Sequence, residues 1–358
     1  MISVRKERAE KAFRRRKKES FYMSQAKKRI LLLCAGGTIA CRPSQGGLAP
    51  ALDSQALLEH LSTMTAAYDI CPLDLFSLDS SNIQPEHWQT AARCIHEELQ
   101  NHPWDGVVMT HGTDTMAYTA AMLSYMLENP PVPIVLTGSQ LPLEHALTDG
   151  YENLRCAFAM AASGVPGVFI AFQHRVILGT RAVKTRSSRF DAFESVNAPL
   201  AGTVSAAGLR LNPGALPEIK GKFALKADLS DRVFLVKLTP GIRPEIFQWL
   251  ADTGYRGIVI ETFGAGGMAF LRRNLVECLG KLTARGIPVA AVSQCLYDGS
   301  DLSIYESGRM ALQNGIWDAR DMTTEAAVTK MMWCLGQQPQ DLRSLFFTPR
   351  FGEISPER

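Results

Sequence analysis

The sequence predicts an α/β protein in which a larger N-terminal parallel-sheet α/β domain precedes a smaller C-terminal α/β domain. Three observations point there. The chain has 358 residues, 46 % of them hydrophobic and 20 % charged, enough for two domains with a core each and too apolar for disorder throughout. From residue 29 to about 208, short aliphatic runs alternate with longer amphipathic stretches, the pattern of parallel strands joined by crossover helices. The same alternation resumes at residue 232, after a stretch rich in proline and glycine.

Taken in order, strands are expected at 29–34, 73–78, 106–110, 133–137 and 167–172. Helices are expected at 85–99, where Pro85 suits a first helical turn, and at 115–127, where Met116, Ala120, Leu123 and Leu127 recur at helical spacing. The stretch 209–227 (LRLNPGALPEIKGKFALKA) has weak periodicity, so the first domain is read as 29–208 and the connection as 209–231. The second domain, 232–358, offers strands at 232–238, 257–262 and 288–293, with helices at 244–253 and 268–284.

Residues 1–28 read as a basic N-terminal extension. Within the first 22 residues, nine Lys or Arg face Glu7, Glu10 and Glu19; without that arm the balance is 29 basic against 32 acidic residues, so the net charge of +3 belongs to the arm. A like-charged, apolar-poor segment is read as a solvated, disordered tail rather than a nucleic-acid or lipid-binding arm. Met23 opens a compact start, MSQAKKRILLLCAGG, and an internal start there is expected. Eight cysteines (Cys34, Cys41, Cys71, Cys94, Cys156, Cys278, Cys295 and Cys334) form no CxxC pair and read as reduced thiols. The aliphatic run Ile30 to Leu33 is far shorter than the ~20 residues of a spanning helix. A cytoplasmic protein that engages neither membrane nor nucleic acid is expected.

In open parallel sheets, ligands bind beyond the carboxyl ends of the strands, where helix N-termini offer free N–H groups. Polar clusters fall there three times: Gly36-Gly37-Thr38, Asp79-Ser80-Ser81-Asn82 and His111-Gly112-Thr113-Asp114-Thr115. Singly each is weak, since Gly-Gly-Thr is usually a turn, Ser-Ser-Asn an N-cap region and Thr-Asp a helix start. GGTIA lacks the G-x-G-x-x-G spacing of a dinucleotide site, and neither a Walker sequence, a G-x-S-x-G elbow nor a paired H-x-x-x-H occurs. Hydroxyl chemistry without histidine leaves Thr or Ser activated by Lys or Tyr.

These residues, with their neighbours, resemble the bacterial cytoplasmic type I asparaginases. The likeness lies in AGGTIA (Ala35 to Ala40), LDSSN (Leu78 to Asn82), MTHGTDTMAYTAAMLSYMLEN (Met109 to Asn129), TGSQLPL (Thr137 to Leu143) and RAVKTRSSRFDAF (Arg181 to Phe193). It continues through TPGI at Thr239, SQC at Ser293 and DMTTEAAVTK at Asp321, leaving only the basic arm uncovered. The resemblance implies hydrolysis of L-asparagine to aspartate and ammonia, with Thr38 as nucleophile and Thr113, Asp114 and Lys184 as a second polar group beneath the substrate. It implies that Asp79, Ser80 and Ser81 hold the amino-acid end, that no cofactor or metal takes part, and that the chain forms a homodimer or homotetramer with sites between subunits.

Amide hydrolysis needs an activated nucleophile, a proton donor for the leaving ammonia and donors for the oxyanion. A backbone N–H near Thr113 fits the oxyanion role. Neutralising a lysine near pH 8 takes about 3 kcal/mol of differential interaction, and Asp114 opposes it, so Lys184 is read as orienting and polarising Thr113 rather than as a free base. The α-carboxylate of the zwitterionic substrate should meet Ser80, Ser81 and backbone amides, and its ammonium Asp114. Glutamine differs by one methylene, worth only ~1–3 kcal/mol of discrimination.

The alternatives are a glutaminase, an ammonia-delivering amidotransferase subunit, and a non-catalytic amino-acid-binding protein. The amidotransferase class normally carries a further N-terminal domain, for which 22 basic residues are too few. Retention of both threonines, Asp114 and Lys184 argues against the binding protein.

Two departures stand out. Many asparaginases carry a tyrosine about ten residues after the nucleophile, where this chain has Leu48, so Tyr297 or, preferably, Tyr305 is expected to relay the proton from Thr38. Some type I enzymes are activated by asparagine where an arginine meets a T-Q-C segment. Here those positions are Glu261 and Ser293-Gln294-Cys295, and a carboxylate there should repel the effector.

Overall fold

The structure is a computed structural model that describes residues 26–44 and 47–355. Most of the basic arm, the internal start at Met23 included, lies outside the described residues.

The chain enters as β1 (Arg29–Gly36), turns through Thr38–Ala40 into a hairpin of β2 (Cys41–Ser44) and β3 (Gly47–Pro50), and returns as β4 (Asp69–Leu78). β5 (Gly106–Thr110), β6 (Leu127–Glu128), β7 (Pro133–Thr137), β8 (Gly167–Phe172) and β9 (Arg175–Leu178) follow, with helices Pro85–Asn101, Met116–Met126 and Gly150–Ala161 between them. β10 (Ala182–Lys184) and β11 (Phe193–Ser195) form a hairpin beside the sheet, and β12 (Gly202–Ser205) and β13 (Gly208–Leu211) extend its edge. The resulting sheet has the order β13-β12-β9-β8-β7-β5-β1-β4.

β4, β1, β5, β7 and β8 run parallel. Their aliphatic runs are the expected strands, and β5, β7 and β8 are buried along their whole length because helices cover both faces. The chain leaves β1 for β4 on one side and then crosses to β5 on the other, so the strand order reverses at β1. Such a switch point opens a crevice at the carboxyl ends of the strands. The three polar loops lead out of these three neighbouring strands.

β14 (Ala224–Leu225) pairs with β6, so β14 and all of β13 but its first residue lie within the stretch read as a connection. They escaped notice because their partly exposed residues carry no aliphatic run. The second sheet is wholly parallel, in the order β15 (Val233–Lys237), β16 (Gly257–Thr262), β17 (Val289–Ser293), β18 (Trp317–Asp318). Helices Glu245–Asp252, Leu275–Ala284 and Glu306–Gln313 flank it. The helix expected over 268–284 begins only at Leu275, capped by the Asn274 side chain, which accepts from Glu277 N.

Helix Thr324–Gln337 ties the two sheets together. It is capped by Thr323 and packs on both helix Met116–Met126 and the second sheet, in one core that unites Met116, Tyr125 and Met126 with Met331, Trp333 and Val259. Two ion pairs sit in this junction. Lys330 and Glu353 are fully buried together, with Lys330 Nζ also donating to Thr348 O. Arg181, 2 % exposed, donates to Gly352 O, Asp321 O and Asp321 Oδ2. The C-terminal segment therefore clasps the strand that ends in Lys184. Among the described residues, no helix is long and apolar enough to cross a membrane.

Candidate active site

Gly36 and Gly37 both have φ near +84°, a conformation that L side chains rarely adopt. A Cβ on Gly36 would lie 2.5 Å from Leu78 N and O, and one on Gly37 would lie 2.4 Å from Gly112 N. Gly37 N also donates to Leu78 O at 2.9 Å. The turn after β1 thus presses against the ends of β4 and β5 at distances open only to glycine, and Thr38 stands at its crest, partly exposed. Among the described residues, the Thr38 hydroxyl makes no hydrogen bond.

The second loop closes on the third. Ser80 is buried, and a Cβ on Gly112 would lie 2.5 Å from its Oγ, while Ser80 O accepts from Thr115 Oγ1 at 2.8 Å. Asp79 Oδ1 accepts from Ser81 N at 2.8 Å and Ser81 Oγ at 2.7 Å. Those two bonds, with the nearby Lys184 charge, hold the Asp79 carboxyl below the usual carboxylate range.

The third loop supplies a polar triad. Lys184 Nζ, at the end of β10, donates to Thr113 Oγ1 at 2.7 Å and to Asp114 Oδ1 at 2.6 Å. Thr113 is 6 % exposed, the Lys184 side chain 16 % and the Asp114 side chain 63 %, so the triad runs from the protein interior to its surface. With its oxygen accepting from Lys184, Thr113 donates onward, and the acceptor in reach is Gln140 Oε1 at 3.4 Å. Gln140 Nε2 donates to Ser187 O and Arg189 O at 3.2 and 3.0 Å, which fixes the amide so that its oxygen faces Thr113. Asp149, 6 % exposed, anchors this loop by accepting from Gln140 N, Leu141 N and Asn153 Nδ2.

Gln140 lies within the TGSQLPL motif, but nothing in sequence spacing shows that its amide meets residues 47 and 49 positions away. His111 stands first in the third polar motif, but the sequence assigns it no role. Its ring is 1 % exposed and lies between Gly112 O and Thr119 Oγ1.

The structure brings Asp79, Thr113, Asp114 and Lys184 together, with Ser80 and Ser81 on the adjoining loop. It does not join Tyr305 to them by any hydrogen bond among the described residues; Tyr305 is 60 % exposed at the start of helix Glu306–Gln313. Tyr297 donates its hydroxyl to Glu194, which also accepts from Arg186 and Thr185. Leu48 falls on β3 opposite Pro43. Glu261 accepts from Thr324 Oγ1 at 2.8 Å, lies 3.4 Å from Lys237 Nζ, and lines an inter-domain cavity of about 180 Å³ with Ser293, Gln294, Cys295 and Glu325. Among the described residues, no group of three His, Cys, Asp or Glu is placed to hold a metal ion.

Comparison with known proteins agrees with this architecture. Residues 29–216 match the family model "Asparaginase, N-terminal" and residues 232–346 match "Glutaminase/Asparaginase C-terminal domain". An L-asparaginase of Thermococcus kodakarensis is 40 % identical over 91 % of this chain and 99 % of its own. A glutamyl-tRNA(Gln) amidotransferase subunit of Methanosphaera stadtmanae is 34 % identical over 88 % of this chain and 74 % of its own. Among solved structures, the thermostable L-asparaginase of Thermococcus kodakarensis superposes with a TM-score of 0.86, covering 92 % of this chain and 100 % of its own, at 40 % identity. L-asparaginase I of Vibrio cholerae does so with a TM-score of 0.82, over the same shares of the two chains, at 27 % identity. With both of its halves matched, the chain belongs to the asparaginase/glutaminase family.

Proposed function

We propose that the protein is an L-asparaginase of the cytoplasmic type I kind, which hydrolyses free asparagine to aspartate and ammonia. The observation that carries this reading is the Lys184–Thr113 hydrogen bond at the carboxyl end of β5, next to the glycine turn that presents Thr38. Thr38 Oγ1 attacks the side-chain carbonyl carbon of asparagine, and the C–N bond breaks as its proton passes to the departing ammonia. Water then hydrolyses the acyl-threonine ester, releasing aspartate and restoring Thr38.

Lys184 donates to Thr113 Oγ1 and Asp114 Oδ1 at once, which supports a role in holding Thr113 in place. The Thr113 N–H serves the oxyanion. Ser80, Ser81 and neighbouring amides receive the α-carboxylate, and Asp114 with Asp79, whose carboxyl stays charged at neutral pH, receives the ammonium. A homodimer or homotetramer is the assembly in which such a site works.

A second reading, an ammonia-delivering amidotransferase component, has the 34 % identical relative from Methanosphaera stadtmanae in its favour. The test is ammonia release by the purified chain alone with asparagine and glutamine titrated in parallel. Asparagine turnover with glutamine the poorer substrate is expected. No turnover of either overturns the reading, and turnover only in the presence of a second protein moves it to the amidotransferase.

A further inference from the structure

His111 forms the middle of a buried hydrogen-bond chain. Trp88 Nε1, on helix Pro85–Asn101, donates to Thr119 Oγ1 at 2.9 Å. Thr119 Oγ1 lies 3.0 Å from His111 Nε2, and His111 Nδ1 lies 2.7 Å from Gly112 O. The direction of the chain follows from its ends. A carbonyl oxygen only accepts, so Nδ1 carries a proton. Burial holds the ring pKa down to about 4, so at neutral pH the ring has one proton and Nε2 is the acceptor for the Thr119 hydroxyl. The backbone is held just as firmly: His111 N donates to Thr137 O at 2.8 Å, and a Cβ on Gly138 would lie 2.2 Å from His111 O.

Gly112 O belongs to the peptide whose N–H is that of Thr113. We propose that His111 is a positioning residue for the oxyanion site: by donating Nδ1–H to Gly112 O it orients the Gly112–Thr113 peptide and polarises it, so that the Thr113 N–H becomes a stronger donor. A carbonyl that accepts a hydrogen bond makes its own amide N–H more acidic, and linked bonds in a buried site reinforce one another. The Trp88 and Thr119 donors, upstream of the ring, add to the same polarisation. The inference rests on the reading of Thr113 N–H as the oxyanion donor.

The test compares His111→Phe, which keeps a flat ring without donors, with His111→Asn, whose amide nitrogen replaces Nδ1. In ¹⁵N-labelled full-length protein, the Thr113 amide proton should move upfield in His111→Phe and return towards its wild-type position in His111→Asn. With asparagine, His111→Phe should lower kcat about tenfold with KM within twofold, less than the 10²–10³ lost when an oxyanion donor is removed outright. His111→Asn should recover most of that loss. An unmoved Thr113 resonance in His111→Phe, or an equal loss in both variants, overturns the proposal. Should His111→Phe fail to fold, Thr119→Val takes its place, with a smaller shift in the same direction expected and none overturning it. The resonance reads the relay even in a protein that turns over no asparagine, so failure of the asparaginase reading is told apart from failure of this one.

Discussion

The Lys184 ammonium lies 2.7 Å from the Thr113 hydroxyl, although 71 residues separate them in the chain. That single bond dictates which way the threonine proton points, because an oxygen that accepts from Lys184 has its own proton free for Gln140 or for a reacting group. Thr113→Val keeps the shape of the side chain and removes this oxygen. Turnover of asparagine should be abolished with the melting temperature nearly unchanged; activity within tenfold of wild type would show that Thr113 is not part of the machinery.

Thr38→Ala should do the same for a different reason. The Thr38 hydroxyl makes no hydrogen bond among the described residues, so its loss should cost the fold little, and asparagine binding should survive. Stoichiometric binding measured by calorimetry, with ammonia release absent, is the expected pair of results. Ammonia release within tenfold of wild type would assign the attack to another group.

The parts of this site that were legible in the sequence are those encoded locally. Aliphatic runs announced β1, β5, β7 and β8, and short polar motifs directly after them announced Thr38, Thr113 and Asp114. Helix Thr324–Gln337 gave no such signal. Ala326, Ala327, Thr329, Lys330, Met331 and Trp333 are all buried, since two layers cover it, and a helix without a solvent face shows no amphipathic period. Gln140 was illegible for another reason: its partners, Ser187 O and Arg189 O, are set by how separate segments dock. The role of His111 was hidden likewise, because Thr119, which faces its ring, is itself held by Trp88 on a separate helix.

Glu261 makes a kinetic prediction. Its carboxylate is held by Thr324 and Lys237 at the rim of the inter-domain cavity, with Glu325 also lining it. An amino-acid effector entering there would bring its α-carboxylate against the Glu261 carboxylate, and like-charge juxtaposition costs several kcal/mol. Asparagine saturation should be hyperbolic. A Hill coefficient clearly above one would refute this.

Glu325 makes a prediction about stability. Burial, with the Glu261 charge added, raises its carboxyl from 4.5 to about 7. Because the folded state binds this proton more tightly than the unfolded chain, the group favours folding fully below pH 4.5, and that advantage is lost as pH rises from 4.5 through 7. Above pH 7 the buried charge costs the fold up to about 3 kcal/mol relative to low pH. Glu325→Gln should therefore raise the melting temperature by several degrees at pH 8 and leave it unchanged at pH 4. An equal shift at both pH values would mean that packing, not charge, is responsible.

Tyr305 carries the last prediction. On the proposed mechanism Thr38 gives up a proton, and Leu48, at the position where the resemblance implies a tyrosine, cannot carry it, so another group must. Within one chain, Tyr305 is 60 % exposed, and Ile304 beside it is 49 % exposed, with Tyr297 at 47 %. A phenol with so much open surface, next to an exposed Ile304 that gains from cover, suits a residue offered to the site of a second copy. Tyr305→Phe keeps the ring and its packing and deletes only the hydroxyl. Turnover should fall by about 10²-fold, the low end of general acid–base contributions, while the oligomer measured by light scattering stays as it was. Equal loss of turnover and of assembly would make Tyr305 a packing residue alone, and full activity would send the Thr38 proton by another route, through water or Lys184.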